Sequence, residues 1–74
     1  MNILITGATG FVGRYLLKSL LKDYRNIFVF GKRFNKEFLD TFNEKVQLCY
    51  GDIINQNDVV KCVESCSPQI VFHL

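Results

Sequence analysis

The sequence predicts an α/β fold: a doubly wound parallel sheet of four strands in the spatial order 3-2-1-4, with helices on both faces. Three observations lead there. Apolar runs of strand length alternate with segments of helical periodicity along the whole chain. The connections are short, so each strand–helix–strand unit closes by a right-handed crossover onto a parallel neighbour. The first strand ends in a glycine-rich turn that opens directly into a helix, Thr6-Gly7-Ala8-Thr9-Gly10-Phe11-Val12-Gly13.

Taken in order, Ile3-Leu4-Ile5 is a continuous apolar run ended by Gly7, as suits a strand buried on both faces. From Phe11 to Lys22, the apolar residues Val12, Leu16, Leu17, Leu20 and Leu21 recur at helical spacing, with Arg14, Lys18 and Lys22 on the other side. Lysines near the carboxyl end suit the helix dipole. Ile27-Phe28-Val29-Phe30 reads as a second buried strand, stopped by Gly31. Lys36 to Asn43 forms a short helix with Phe38, Leu39 and Phe42 facing inward. Val46-Gln47-Leu48-Cys49-Tyr50 alternates as a strand does and ends at Gly51-Asp52. Asn57 or Asp58 is placed to cap a helix running to about Ser65 and carrying Val59, Val60, Cys62, Val63 and Cys66. Pro68 blocks its continuation. Ile70-Val71-Phe72-His73-Leu74 is the fourth strand, expected at a sheet edge with no partner on its outer side.

Composition bounds what such a chain does. Its 74 residues fall short of the ~100–150 that most domains use, so it reads as a piece of a larger fold. At 49% hydrophobic and 22% charged residues it is too apolar for a disordered tail and too charged for a membrane protein. A net charge of +2 offers no large field to a nucleic acid or a membrane surface. The start, Met1-Asn2-Ile3-Leu4-Ile5, lacks a basic leader and a cleavage site, and the expected compartment is cytoplasmic. Cys49, Cys62 and Cys66 form no C-x-x-C pair, and His73 is the one histidine, so no metal site is expected. The three cysteines are read as reduced core thiols, which pack as small hydrophobes.

The glycine turn carries the chemistry. Gly7, Gly10 and Gly13 stand at i, i+3 and i+6, after a strand and at the start of a helix, the setting in which this spacing binds a dinucleotide. Gly7 permits the tight turn off the strand. Gly10 lets backbone N–H groups approach a pyrophosphate, and Gly13 lets the helix pack closely on the sheet. The free N–H groups and positive dipole of the first helical turn, around Thr9, Phe11 and Val12, then hold the phosphate charge. A Walker-type loop is excluded, because no Gly-Lys-Ser/Thr follows.

This segment resembles the extended short-chain dehydrogenase/reductase family, the NAD(P)-dependent epimerases and dehydratases of nucleotide sugars. Two further landmarks agree in order and distance. Gly51-Asp52-Ile53 is similar to the family's G-D-[IVL], and Val71-Phe72-His73-Leu74 to its V-[FY]-H-L-A segment. The resemblance implies a Rossmann-type domain of which residues 1–74 are the amino-terminal part. It further implies adenine contacts from Asp52 and Ile53, and hydride transfer at a sugar carbon in a longer, homodimeric parent. The family's acid/base is the Tyr of a Tyr-x-x-x-Lys. Tyr15, Tyr24 and Tyr50 are followed four residues on by Ser19, Phe28 and Ile54, so no residue here takes a catalytic role. An NAD(P)-sensing Rossmann module without chemistry is the competing reading.

In NAD-preferring relatives the second strand ends in an acidic residue that bonds the ribose hydroxyls. Here Gly31 stands there, followed by Lys32 and Arg33, which leaves room for a 2′-phosphate and supplies charge to it. The reading favours NADP over NAD. Asp52 would also cap the turn after the third strand, and His73 is read as a packed strand residue.

Overall fold

A computed structural model describes residues 1–74. The elements run β1 (Asn2–Thr6), α1 (Phe11–Leu20), β2 (Asn26–Gly31), α2 (Lys36–Phe42), β3 (Gln47–Tyr50), α3 (Gln56–Cys66) and β4 (Ile70–His73). The sheet order is β3-β2-β1-β4 with every pair parallel, as the sequence predicts. Central β1 pairs Ile3 with Ile27 on one side and Ile70 on the other, and Thr6 with Phe30 and His73. The chain therefore steps outward from β1 to β3, and α3 carries it back across the sheet. That reversal places the ends of β1 and β4 side by side, opening a crevice.

Alternation along the strands divides the interior into two layers. Ile3, Ile5, Ile27 and Val29 face α1 and α2, where they meet Leu17, Phe38 and Phe42 in a cluster of nine buried residues. Leu4 and Phe30 face α3 and meet Cys62 and Cys66 in a cluster of four. One helix covers the second face where two cover the first, so Val60, Val63 and Val71 stay 41–52% exposed. The thiols at Cys62 and Cys66 are buried and that of Cys49 partly so, and none is in a disulfide.

Several boundaries differ from expectation, each for a local reason. Helix α1 stops at Leu20 because the chain tightens there, Lys22 N–H bonding Ser19 O and Asp23 N–H bonding Leu20 O. Val12, expected on the apolar stripe, is 68% exposed. The face that packs is centred on Gly13 and Leu17, and Val12 is turned about 100° from Gly13. Helix α3 is capped by Asn55 rather than Asn57 or Asp58: its Oδ1 accepts from Asp58 N–H at 3.1 Å. The Asp58 carboxylate instead turns back to accept from Asp52 N–H at 2.9 Å. At the other end α3 closes through Ser67, the sole non-glycine residue with positive φ (44°), before Pro68. No helix is long and apolar enough to cross a membrane.

Candidate functional site

The glycine turn sits at the carboxyl end of β1, and its three glycines answer to three different constraints. Gly7 has φ +78°, a left-handed conformation, and a Cβ there would lie 2.9 Å from Leu74 O. A Cβ at Gly13 would collide with Gly7 O and lie 2.5 Å from Ala8 Cα. Gly13 thus lets the head of α1 seat on the Gly7-Ala8 backbone that leaves β1, while Leu17 one turn on packs against the sheet. Gly10 is unlike either. Its backbone is ordinary (φ −75°, ψ 174°) and a Cβ would meet nothing nearer than Gly7 O at 3.8 Å. The fold tolerates a side chain at Gly10, so the open space beside it is the feature that needs a glycine.

Helix α1 begins at that open space without a side-chain cap and with no acidic residue in its first turn. The first main-chain bond into the helix is from Arg14 N–H to Gly10 O at 2.9 Å, which leaves the N–H groups of Phe11, Val12 and Gly13 without partners. Their side chains contribute little to the fold at this point, Phe11 being 81% exposed. Three unpaired donors at the positive end of a helix are competent to receive an anion.

Beside the turn, the carboxyl ends of the strands enclose a crevice of about 350 Å³. β1 contributes Thr6 with Gly7, β2 contributes Phe30, Gly31 and Lys32, β3 leads into Gly51, Asp52 and Ile53, and β4 brings His73 and Leu74. Of the residues expected at the site, Gly7, Lys32, Asp52 and Ile53 are thus gathered in one place. Thr9, Gly10, Phe11, Val12 and Gly13 stand next to it at the head of α1, and Phe11 lines a separate depression between α1 and α2 with Arg14, Tyr15 and Glu37. Arg33 is exposed, makes no ion pair and does not line the crevice.

Asp52 does two jobs. Its Oδ1 accepts from Ile54 N–H at 3.1 Å, holding the turn after β3, and its Oδ2 lies 3.4 Å from Lys32 Nζ. The Ile54 N–H foremost, then the Lys32 ammonium, hold its carboxyl below the usual value of 3.8, although partial desolvation pushes the other way. The charge is therefore fixed at neutral pH. The Lys32–Asp52 pair bridges the ends of β2 and β3, and being solvent-exposed it opens at little cost. His73, expected to be packed, is exposed and hydrogen-bonded to Thr6, with Thr6 Oγ1 2.6 Å from its Nδ1. The order 3-2-1-4 sets β4 beside β1, but the register that puts His73 opposite Thr6 carries no local signal in either residue's neighbourhood.

A profile of the NAD dependent epimerase/dehydratase family matches residues 3–74. Among curated proteins, the chain is 38% identical over 77 aligned positions to dTDP-6-deoxy-L-talose 4-dehydrogenase (NAD(+)) of Aggregatibacter actinomycetemcomitans, covering all of this chain and 27% of that protein. It is 32% identical over 79 positions to CDP-paratose 2-epimerase of Salmonella typhi, covering 100% of this chain and 23% of the relative. Among solved structures, UDP-glucose 4-epimerase of Thermotoga maritima, crystallised with UDP-glucose, superposes with a TM-score of 0.83 at 25% identity, covering 100% of this chain and 24% of that one. The chain spans about a quarter of the length of the relatives it matches.

Proposed function

The chain belongs to the NAD dependent epimerase/dehydratase family, and from that premise we propose that residues 1–74 hold the adenosine diphosphate half of a nicotinamide dinucleotide, for a longer protein that transfers hydride at a carbon of a nucleotide-linked sugar. The observation that carries the reading is the space beside Gly10, where a Cβ would clash with nothing, at the head of a helix whose first three N–H groups are unpaired. A pyrophosphate supplies the negative charge and the acceptor oxygens that such donors take. In this assignment Gly7, Thr9, Gly10, Phe11, Val12 and Gly13 form the phosphate cradle. Asp52 and Ile53 flank the adenine. The substrate class follows from the relatives, whose names specify dTDP-, CDP- and UDP-linked sugars. These 74 residues supply binding and orientation and no Tyr-x-x-x-Lys, so the proton transfers fall to residues elsewhere in such a protein.

For the choice of dinucleotide we propose NADP. Gly31 at the end of β2 carries no carboxylate to repel a 2′-phosphate, and Lys32 is the cation on the crevice wall. Its present partner is Asp52, and adenosine binding that draws Asp52 toward the base releases Lys32 to the phosphate. Calorimetric titration of the full-length protein with NAD and NADP, followed by nicotinamide absorbance with a panel of UDP-, CDP-, GDP- and dTDP-sugars, tests the reading. Dinucleotide binding with turnover of one sugar class is expected. Failure to bind either dinucleotide overturns it.

A further inference from the structure

Two side chains outside the glycine turn meet at the end of the sheet. Thr6 closes β1 and is the one buried polar side chain of the chain, 8% exposed. His73 closes β4 directly opposite it in register. Thr6 Oγ1 lies 2.6 Å from His73 Nδ1, a bond that either neutral tautomer of the ring satisfies. One residue on, Leu74 N–H donates to Thr6 O at 3.1 Å. The end of β4 thus grips the last residue of β1 by side chain and by main chain.

The glycine turn starts immediately after Thr6. Gly7 takes φ +78° with Leu74 O against the position of its missing Cβ, and the Gly7 carbonyl is the surface on which Gly13 seats α1, with no room for a Gly13 Cβ between them. The contacts therefore run without a gap from His73 to Thr6, to the Gly7 peptide, to the first turn of α1. Backbone packed this closely has no slack, so a displacement at the β4 end moves the N–H groups of Phe11, Val12 and Gly13.

We propose that His73 is a positioning residue for dinucleotide binding: through Thr6 it holds the glycine turn and the head of α1 in place for the pyrophosphate. The proposal rests on the dinucleotide reading of the crevice. A purely sheet-stabilising hydrogen bond would affect melting alone, whereas a clasp on the anion site affects affinity in a folded protein.

The test uses the full-length protein, with Kd for NAD and NADP and the melting temperature measured for each variant. Thr6→Val deletes the hydroxyl at nearly constant shape, and His73→Phe deletes the ring nitrogens at an exposed position. Each is expected to weaken both dinucleotides roughly three- to tenfold. The double variant should lose no more than the worse single one, because one bond is removed either way. Thr6→Ser and His73→Asn, which keep a polar atom at the contact, should recover most of the affinity. Should Thr6→Val fail to fold, His73→Phe with its Asn counterpart carries the same comparison. Wild-type binding with unchanged Kd in folded variants, even with lowered melting temperatures, overturns the clasp alone. Absence of binding by the wild type overturns the dinucleotide reading and the clasp with it.

Discussion

One substitution made at each of three glycines separates fold from function, because the three sites differ in what surrounds them. Gly13→Ala drives a Cβ into Gly7 O and to within 2.5 Å of Ala8 Cα, both backbone atoms that cannot swing aside. Relief requires lifting α1 off its turn, and Leu17, fully buried one turn further on, would move with it. A loss of about 3 kcal/mol or more is expected, the upper range for strain in a packed core. Gly7→Ala combines a left-handed φ of +78° with a contact of 2.9 Å to Leu74 O, and the backbone term alone is worth about 1–2 kcal/mol. Gly10→Ala meets nothing nearer than 3.8 Å in an extended conformation open to any residue. Its effect on stability is a small balance, a gain of about 0.4–1 kcal/mol from a stiffer unfolded chain against a comparable loss at the N-cap. Binding is another matter. With the pyrophosphate seated beside Gly10 as proposed, the methyl group would occupy its approach and cost at least one charge-assisted hydrogen bond, about 1.5–3 kcal/mol, which is roughly ten- to a hundredfold in Kd. Gly10→Val should abolish binding. Thermal melting and calorimetric titration of the full-length protein read the two effects separately. A Gly10→Ala protein that binds with wild-type affinity, or that unfolds as Gly13→Ala does, would refute the reasoning.

Replacing Lys32 and Arg33 together by Ala should weaken NADP roughly ten- to a hundredfold more than NAD, at fixed ionic strength. Lys32→Ala alone should give most of that, since Arg33 does not line the crevice; an equal fall for both cofactors would show that the pair is a solvated loop. Ser67→Gly removes the strain of a side chain at φ 44° and should raise stability by about 0.5 kcal/mol, after allowing for glycine's greater unfolded-state entropy; a lower denaturation midpoint would contradict it. Burial, then the Cys49 and Cys66 thiols beside it, pushes Cys62 up to about 12, and burial first raises Cys66 as well. Iodoacetamide at about pH 8 should therefore leave both unmodified in the native protein and label them after unfolding, as read by mass spectrometry. The same shift has a sign for stability. It is fully present below the ordinary thiol value of 9.0 and is lost as the pH rises toward about 12, because the unfolded chain ionises more readily. A fold equally stable from pH 8 to above pH 10 would be inconsistent with these buried thiols.

The strands and helices, the parallel order 3-2-1-4 and the identity of the glycine turn were all legible in the residues. The elements follow from short-range rules (apolar period, a glycine where a turn must be left-handed, a proline where a helix must stop), and their order from the crossover rule for parallel sheets. The Gly51-Asp52 landmark was legible through its likeness to the family's G-D-[IVL], and it lies at the crevice because the carboxyl ends of parallel strands share one edge of the sheet. Caps were less so. Asn55, Asn57 and Asp58 are all competent, and the choice fell to Asn55 because Asp58 is held by the Asp52 N–H, a partner six residues back. Val12 carries the right polarity for a core and is turned out by the close seating of Gly13. Tertiary structure alone decided that Lys32 rather than Arg33 enters the crevice, that Asp52 engages it, and that His73 grips Thr6. Those contacts join residues 20 and 67 positions apart. Local pattern sets the period and the ends of an element, but a side chain's partner across the sheet depends on the register between paired strands and on side-chain reach, and these emerge only when the whole sheet is assembled.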